Sequence, residues 1–277
     1  MTRIIAISSG KGGVGKTTVT ANLALALKSL GKKVTIIDCN FSTPHLAYYL
    51  GNTNYKYTIN DVLLGKVDLI SAVHNYEGMK FIPASLDLQD LAGMDLGKFK
   101  KSLKRLVLSA DKTDFVLLDS APGLGRESLI VLDASDEVIF VTLPFLPMVN
   151  DVVRCKEVLK ELRGAHNLSV VLNMVNYRGN ELLKESVQEM TGLPVIGEIP
   201  FDQSVVDSLA LKTPVFSNNP NSFASIGIMK VAAALTNTDY KEPNKLKLKK
   251  LFSRMRSMVL YGKVGLYKTS KDLPKLK

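Results

Sequence analysis

Residues 9–18 read SGKGGVGKTT, and the residue types and spacing in that stretch are those that hold a polyphosphate. Glycines at Gly10, Gly12, Gly13 and Gly15 let the backbone take positive φ and turn several N–H groups inward, forming a nest for phosphate oxygens. Val14 and Thr18 complete the loop. Lys16 can reach the β and γ phosphates, and the Thr17 hydroxyl can ligate a Mg²⁺ ion. A second lysine, Lys11, stands at the start of the loop. Because Lys16 already serves the same phosphates, Lys11 has another task.

Such a loop works only between a strand and a helix. The apolar run RIIAIS precedes it and the helical pattern VTANLALALKSL follows, with the helix beginning near Lys16 and adding its positive dipole end. Next, GKK marks a helix end and VTIID reads as a buried parallel strand ending at Asp38. Similar runs recur at FVLLD, EVIFVTL, LSVVLNMV and PVIGEI, with helical patterns between them. The expected fold is therefore α/β, an open and mostly parallel sheet with helices on both faces. Ligands of such sheets bind at the carboxyl ends of the strands. Asp38 and Asn40 leave one strand there, and Asp119 closes another, where it can hold Mg²⁺ through a water. Ala121-Pro122-Gly123 then makes a tight turn whose backbone could sense a γ-phosphate.

The string GKGGVGKTT resembles the deviant Walker A loop of the MinD/ParA family of P-loop ATPases, in the form found in archaeal MinD-like proteins. The resemblance implies the P-loop NTPase sheet, ATP and Mg²⁺ as cofactors, and an ATP-dependent homodimer. In that family the early lysine, here Lys11, crosses to the partner's nucleotide and supplies charge in trans. FSTPHLAYYLG corresponds to the first switch, which usually carries two aspartates, one near the Mg²⁺ shell and one orienting the attacking water. Asp38 matches and Asn40 departs. Loose phosphoryl transfer needs positioning more than base strength, so hydrolysis is expected to be slowed rather than abolished. A plain turn role for Asn40 stays open. DSAPGLGRES resembles the second switch, with Arg126 facing phosphate, the partner subunit or solvent. Asp151 is expected to open a helix near the dimer face. Asn173 either reads the adenine edge or caps its strand, and Pro200, Phe201 and Asp202 form the loop that closes over the base. The resemblance covers residues 2–236. Residues 55–92 are expected to hold a short helix, a strand and a loop without chemistry, and His45, His74 and His166 to be surface or packing residues.

A chain of 277 residues with 46 % hydrophobic content suits one large α/β domain. Its N-terminus reads as a strand rather than a signal peptide, and no run approaches the roughly 18 apolar residues of a spanning helix. Two cysteines, Cys39 and Cys155, lie far apart, which suggests neither a disulfide nor a metal site and fits a reducing cytoplasm. The net charge of +10 is concentrated: residues 241–277 hold twelve basic and two acidic side chains, and the rest is balanced. The chain thus divides into an ATPase domain over 1–237 and a basic tail over 238–277. Within the tail, Leu248, Leu251, Phe252, Met255, Met258 and Val259 share one arc of a helix over 245–260, and Lys245, Lys247, Lys249, Lys250, Arg254 and Arg256 fall outside it. Such a basic amphipathic helix suits an anionic membrane surface, with about 1 kcal/mol for each cation before screening, unless the stripe packs back on the domain. Residues 261–277 follow it.

These features together imply an ATP-dependent dimerising switch that hydrolyses ATP slowly, docks peripherally on membrane when ATP-bound, and positions an unidentified partner or activating protein. Two alternatives are a ParA-like DNA-partition ATPase binding duplex nonspecifically and an ATP-bound scaffold with negligible hydrolysis.

Overall fold

The computed structural model describes residues 2–108, 113–161 and 167–261, with side chains described as far as Ser253. His166 lies outside them, as do the side chains of Met255, Met258 and Val259. The strands are β1 (Arg3–Ser8), β2 (Val34–Cys39), β3 (His74–Tyr76), β4 (Met79–Ile82), β5 (Phe115–Ser120), β6 (Glu137–Thr142), β7 (Asn167–Val175) and β8 (Val195–Pro200). They form an eight-stranded sheet in the order β3-β4-β2-β5-β1-β6-β7-β8. Only β3 runs antiparallel. Strands β2 and β5 are buried along their whole length, as unbroken apolar runs require when both faces are covered.

One face carries α1 (Lys16–Ser29), and α2 (Leu46–Tyr49) follows β2 at its carboxyl end. The other face is covered by α3 (Ile59–Leu64), α4 (Lys98–Leu108), α5 (Arg126–Asp133), α6 (Leu146–Glu161) and α7 (Lys184–Thr191). Past β8 the chain forms α8 (Gln203–Ala210), α9 (Val215–Asn218), α10 (Phe223–Thr236), which packs on the α1 face, and α11 (Asn244–Tyr261). No helix among the described residues is long and apolar enough to cross a membrane.

Register does the positioning. In the β2–β5 pairing Asp38 stands opposite Asp119, and in the β1–β5 pairing Ile7 stands opposite Asp119. Two carboxylates are thereby set side by side beneath the loop that leaves β1. Strands added on the two sides of β1 diverge in chain order, so a crevice opens at its carboxyl end.

Two expectations differ from the fold. Between the switches lie two strands rather than one, because Glu77 and Gly78, at φ 44° and 75°, turn β3 back onto β4 as a two-residue hairpin. The HNY sequence of β3 carries no apolar alternation, and that hid it. Asp151 does not open its helix: α6 starts at Leu146, and Pro147 serves its first turn, where a missing N–H costs nothing.

Candidate functional site

At the end of β1 the loop turns through Gly13 and Gly15, at φ 81° and 90°. Gly15 precedes α1 without any side-chain cap, so the first-turn N–H groups of that helix are left for an anion. Gly10 and Gly12 do not take positive φ, contrary to the expectation for all four glycines. Gly10 is needed for closeness: a Cβ there would stand 2.4 Å from the Cβ of Asp151 on α6.

Lys16 is 8 % exposed, and burial pulls its pKa down while the charges of Asp119 and Asp38 hold it up. Asp38 is wholly buried, accepting the N–H of Asn40 on Oδ1 and that of Leu46 on Oδ2, both at 3.1 Å. Asp119 accepts the Thr20 hydroxyl at 3.1 Å. Burial raises the pKa of both acids; the charge of Asp119 pushes Asp38 higher, while Lys16, Thr17 and Thr20 pull Asp119 back. Adjacent buried carboxylates beside a hydroxyl residue suit a divalent cation, and Thr17, Asp38 and Asp119 are the oxygen donors at hand. No group of three His, Cys, Asp or Glu among the described residues could hold a metal ion alone. Phosphate oxygens and waters would complete such a shell.

The second switch is stitched to the loop: Gly123 N–H bonds to the Ser9 carbonyl at 2.8 Å, and the Ser9 hydroxyl bonds to the Lys11 carbonyl at 2.7 Å. In the first switch, Asn40 Nδ2 donates to the Thr43 carbonyl at 2.5 Å and its Oδ1 accepts the Thr43 hydroxyl at 3.1 Å. Both ends of the amide are taken within the loop. The Ser42 hydroxyl bonds to the Glu127 carboxylate of α5, joining the two switches. Thr18 bonds to the Tyr49 hydroxyl at 3.2 Å. His45 lines the cavity and helps to lower the Asp119 pKa. The sequence reading of His45 as a surface or packing residue agrees with its exposed position at the cavity mouth. Lys11 is not among the residues that line the cavity; its side chain is 57 % exposed and its Nζ lies 3.7 Å from Asp151 Oδ2. Arg126 is exposed at the head of α5.

The cavity has a volume of about 520 Å³, within the range of small-molecule sites. From the loop it extends to an apolar end walled by Met174, Ile199, Val205, Val206, Leu209 and Ile228. Asn173 joins the two ends. It is 5 % exposed, its Nδ2 donates to the Val14 carbonyl at 2.8 Å, and a Cβ on Gly15 would fall 2.3 Å from that nitrogen. Its Oδ1 makes no hydrogen bond to the described residues. Pro200, Phe201 and Asp202 line the same end. The Asp202 carboxylate is committed elsewhere, capping α8 through Ser204 N–H at 3.0 Å and α10 through Ala224 N–H at 3.1 Å. Burial works against its charge, and those two N–H groups outweigh burial, so its pKa lies below the usual range. Asp202 therefore fixes the loop rather than reading a base.

The tail helix reaches this end too. Leu246 is fully buried, while Leu248, Leu251 and Phe252 are 52 %, 54 % and 64 % exposed. Lys245, Lys249 and Lys250, which fall outside the apolar arc, turn to the body, where aromatic rings, carbonyls and Glu198 and Glu242 receive them. The alternative in which the apolar stripe packs back is thus not what the described residues do.

A family model described as ParA, NUBPL iron-transfer P-loop NTPase, matches residues 1–236. An uncharacterized ATP-binding protein of Methanocaldococcus jannaschii is 34 % identical over 251 residues, covering 90 % of this chain and 94 % of its own. The chloroplastic septum site-determining minD homolog of Arabidopsis thaliana is 30 % identical over 248 residues, covering 86 % of this chain and 76 % of its own. Among solved structures, the septum site-determining protein MinD of Pyrococcus horikoshii, complexed with Mg-ADP, superposes with a TM-score of 0.79 at 31 % identity, covering 85 % of this chain and 96 % of that one.

Proposed function

The chain belongs to the ParA family of P-loop NTPases, and from that premise we propose that it is an ATP-dependent dimerising switch. Residues 1–237 act as the ATPase, and the tail over 238–277 attaches the dimer peripherally to an anionic membrane, where it positions a partner protein. The observation that carries the reading is the division of labour between two lysines. Lys16 is buried beside Asp38 and Asp119 at the foot of its own cavity, whereas Lys11 is half-exposed at the rim and held by one loose ion pair.

In this reading the loop N–H groups and Lys16 bind the phosphates of ATP. Thr17, Asp38 and Asp119 hold Mg²⁺, which when bound neutralises charge on the phosphates. Asn173 and the Pro200–Asp202 loop bind the adenine, and Lys11 of each subunit completes its neighbour's site. Water attack on the γ-phosphorus then yields ADP and phosphate. Asn40 must leave its two bonds to Thr43 before it can orient that water, which supports slow turnover. Negligible hydrolysis, the scaffold alternative, is the extreme of the same observation.

The half-exposed Leu248, Leu251 and Phe252 support membrane attachment, since an apolar stripe on the outer face of a helix is where lipid would bury it. Duplex binding is supported less, because three of the tail lysines are engaged on the body. Iron transfer is not proposed: the chain has two cysteines, and both are buried on separate elements. Co-sedimentation with liposomes of anionic phospholipid tests the reading. Pelleting is expected with ATP and Mg²⁺ and not with ADP; pelleting independent of nucleotide, or none, contradicts it.

A further inference from the structure

The tail helix α11 is attached to the body at the lip of the base end. Lys249 sits 4.2 Å from the centroid of the Phe223 ring and donates a hydrogen bond to the Phe201 carbonyl at 2.8 Å. Lys250 lies 5.2 Å from the Tyr177 centroid and 3.1 Å from Glu242. With Leu246 buried beside them, these contacts hold one turn of α11 in place. Phe201 is thereby gripped at both backbone groups, its N–H by the Val175 carbonyl of β7 at 3.0 Å and its carbonyl by the tail. Its side chain lines the cavity, and the next residue, Asp202, caps α8 and α10.

We propose that Lys249 is a positioning residue of the base end: by holding the Phe201 carbonyl it fixes the Pro200–Asp202 loop against a nucleotide base, so that base occupancy and tail docking reinforce each other. The proposal rests on the reading of the cavity as an adenine-nucleotide site. Linkage requires the two effects to be equal, so whatever factor the docked tail contributes to nucleotide affinity, the nucleotide returns to docking. A charged donor on the exposed Phe201 carbonyl, held also by the Phe223 ring, makes a charge-assisted bond whose loss can be measured. The lysines so held are withdrawn from headgroups, and Leu248, Leu251 and Phe252 are left facing outward in a fixed direction. A nucleotide-filled subunit would therefore present its apolar stripe on a rigid mount.

The test uses the full chain with Mg²⁺ and a fluorescent ADP analogue, with inorganic tripolyphosphate as the ligand that lacks a base. Lys249→Met is expected to weaken the ADP analogue about fivefold and to leave tripolyphosphate unchanged, while Lys247→Met, at an exposed position on the same helix, alters neither. Reciprocally, the analogue should slow amide exchange across residues 244–253 about fivefold in the natural chain and not in Lys249→Met. ADP affinity within twofold of the natural chain in Lys249→Met overturns the proposal. So does an equal loss for tripolyphosphate, which would mark general damage. Failure of the natural chain to bind the ADP analogue at all removes the underlying site reading first.

Discussion

At the loop end of the cavity, the lining comes from residues 12–13 and 15–19 with Asn40, Thr43, His45, Tyr49 and Pro122, and two aspartates set in register lie buried beneath it. At the other end it comes from β7, β8 and the loop after it, α8 and α10, with α11 held against that loop from outside. Charged groups at the first end are buried and hold one another, as Lys16 does with Asp38 and Asp119. Side chains at the second end are apolar, and its one acidic residue, Asp202, is spent on capping two helices. The difference teaches that the loop end is built by a short local program, whereas the apolar end is whatever the tertiary fold leaves beside it.

Removing the phosphate-end cation should have the largest effect. Lys16→Ala is expected to lower ATP and tripolyphosphate affinity alike by about a hundredfold or more, measured by titration calorimetry. A loss confined to ATP would break the comparison. The junction of the ends comes next. Gly15→Ala places a Cβ 2.3 Å from Asn173 Nδ2 at a φ of 90°, and should cost about 2–4 kcal/mol of stability, read as a lower Tm. Asn173→Ala, which removes the bond to Val14, should weaken ATP about tenfold and tripolyphosphate much less, sharpening the assignment of the base end. Asn40→Asp gives the first switch a carboxylate and should raise single-turnover hydrolysis about three- to tenfold with little change in affinity. The smallest expected signal concerns thiols. Burial pushes the Cys155 thiol up to about 11 and the Cys39 thiol well above its ordinary value, so neither should react with a disulfide reagent at pH 8 until the chain unfolds.

Much of the phosphate end was legible because its physics is local. Gly-rich turns, Lys16, Thr17 and aspartates at the ends of apolar runs can each be read from neighbours in sequence. Even so, the reason for Gly10 was not visible, since the obstacle is Asp151, far along the chain. At the apolar end, Asn173 and the Pro200–Asp202 loop were singled out only through resemblance, and neither the Asn173 bond to Val14 nor the double cap of Asp202 has a sequence signature. That the exposed His45 lies along the cavity was not legible, because an isolated histidine carries no spacing to show it. For the tail, helical periodicity located the stripe but could not say which face meets the body. The periodicity of Lys245, Lys249 and Lys250 is the same whether they meet water, lipid or the rings of Phe223 and Tyr177.

What most directly tests the account is the mass of the particle with each nucleotide. Light scattering on the full chain after size exclusion, with Mg²⁺ and a non-hydrolysable ATP analogue, should give a dimer, while ADP, or Lys11→Ala with the analogue bound, should give a monomer. A natural chain that binds the analogue and stays monomeric, or a Lys11→Ala chain that pairs as well as the natural one, would contradict the account.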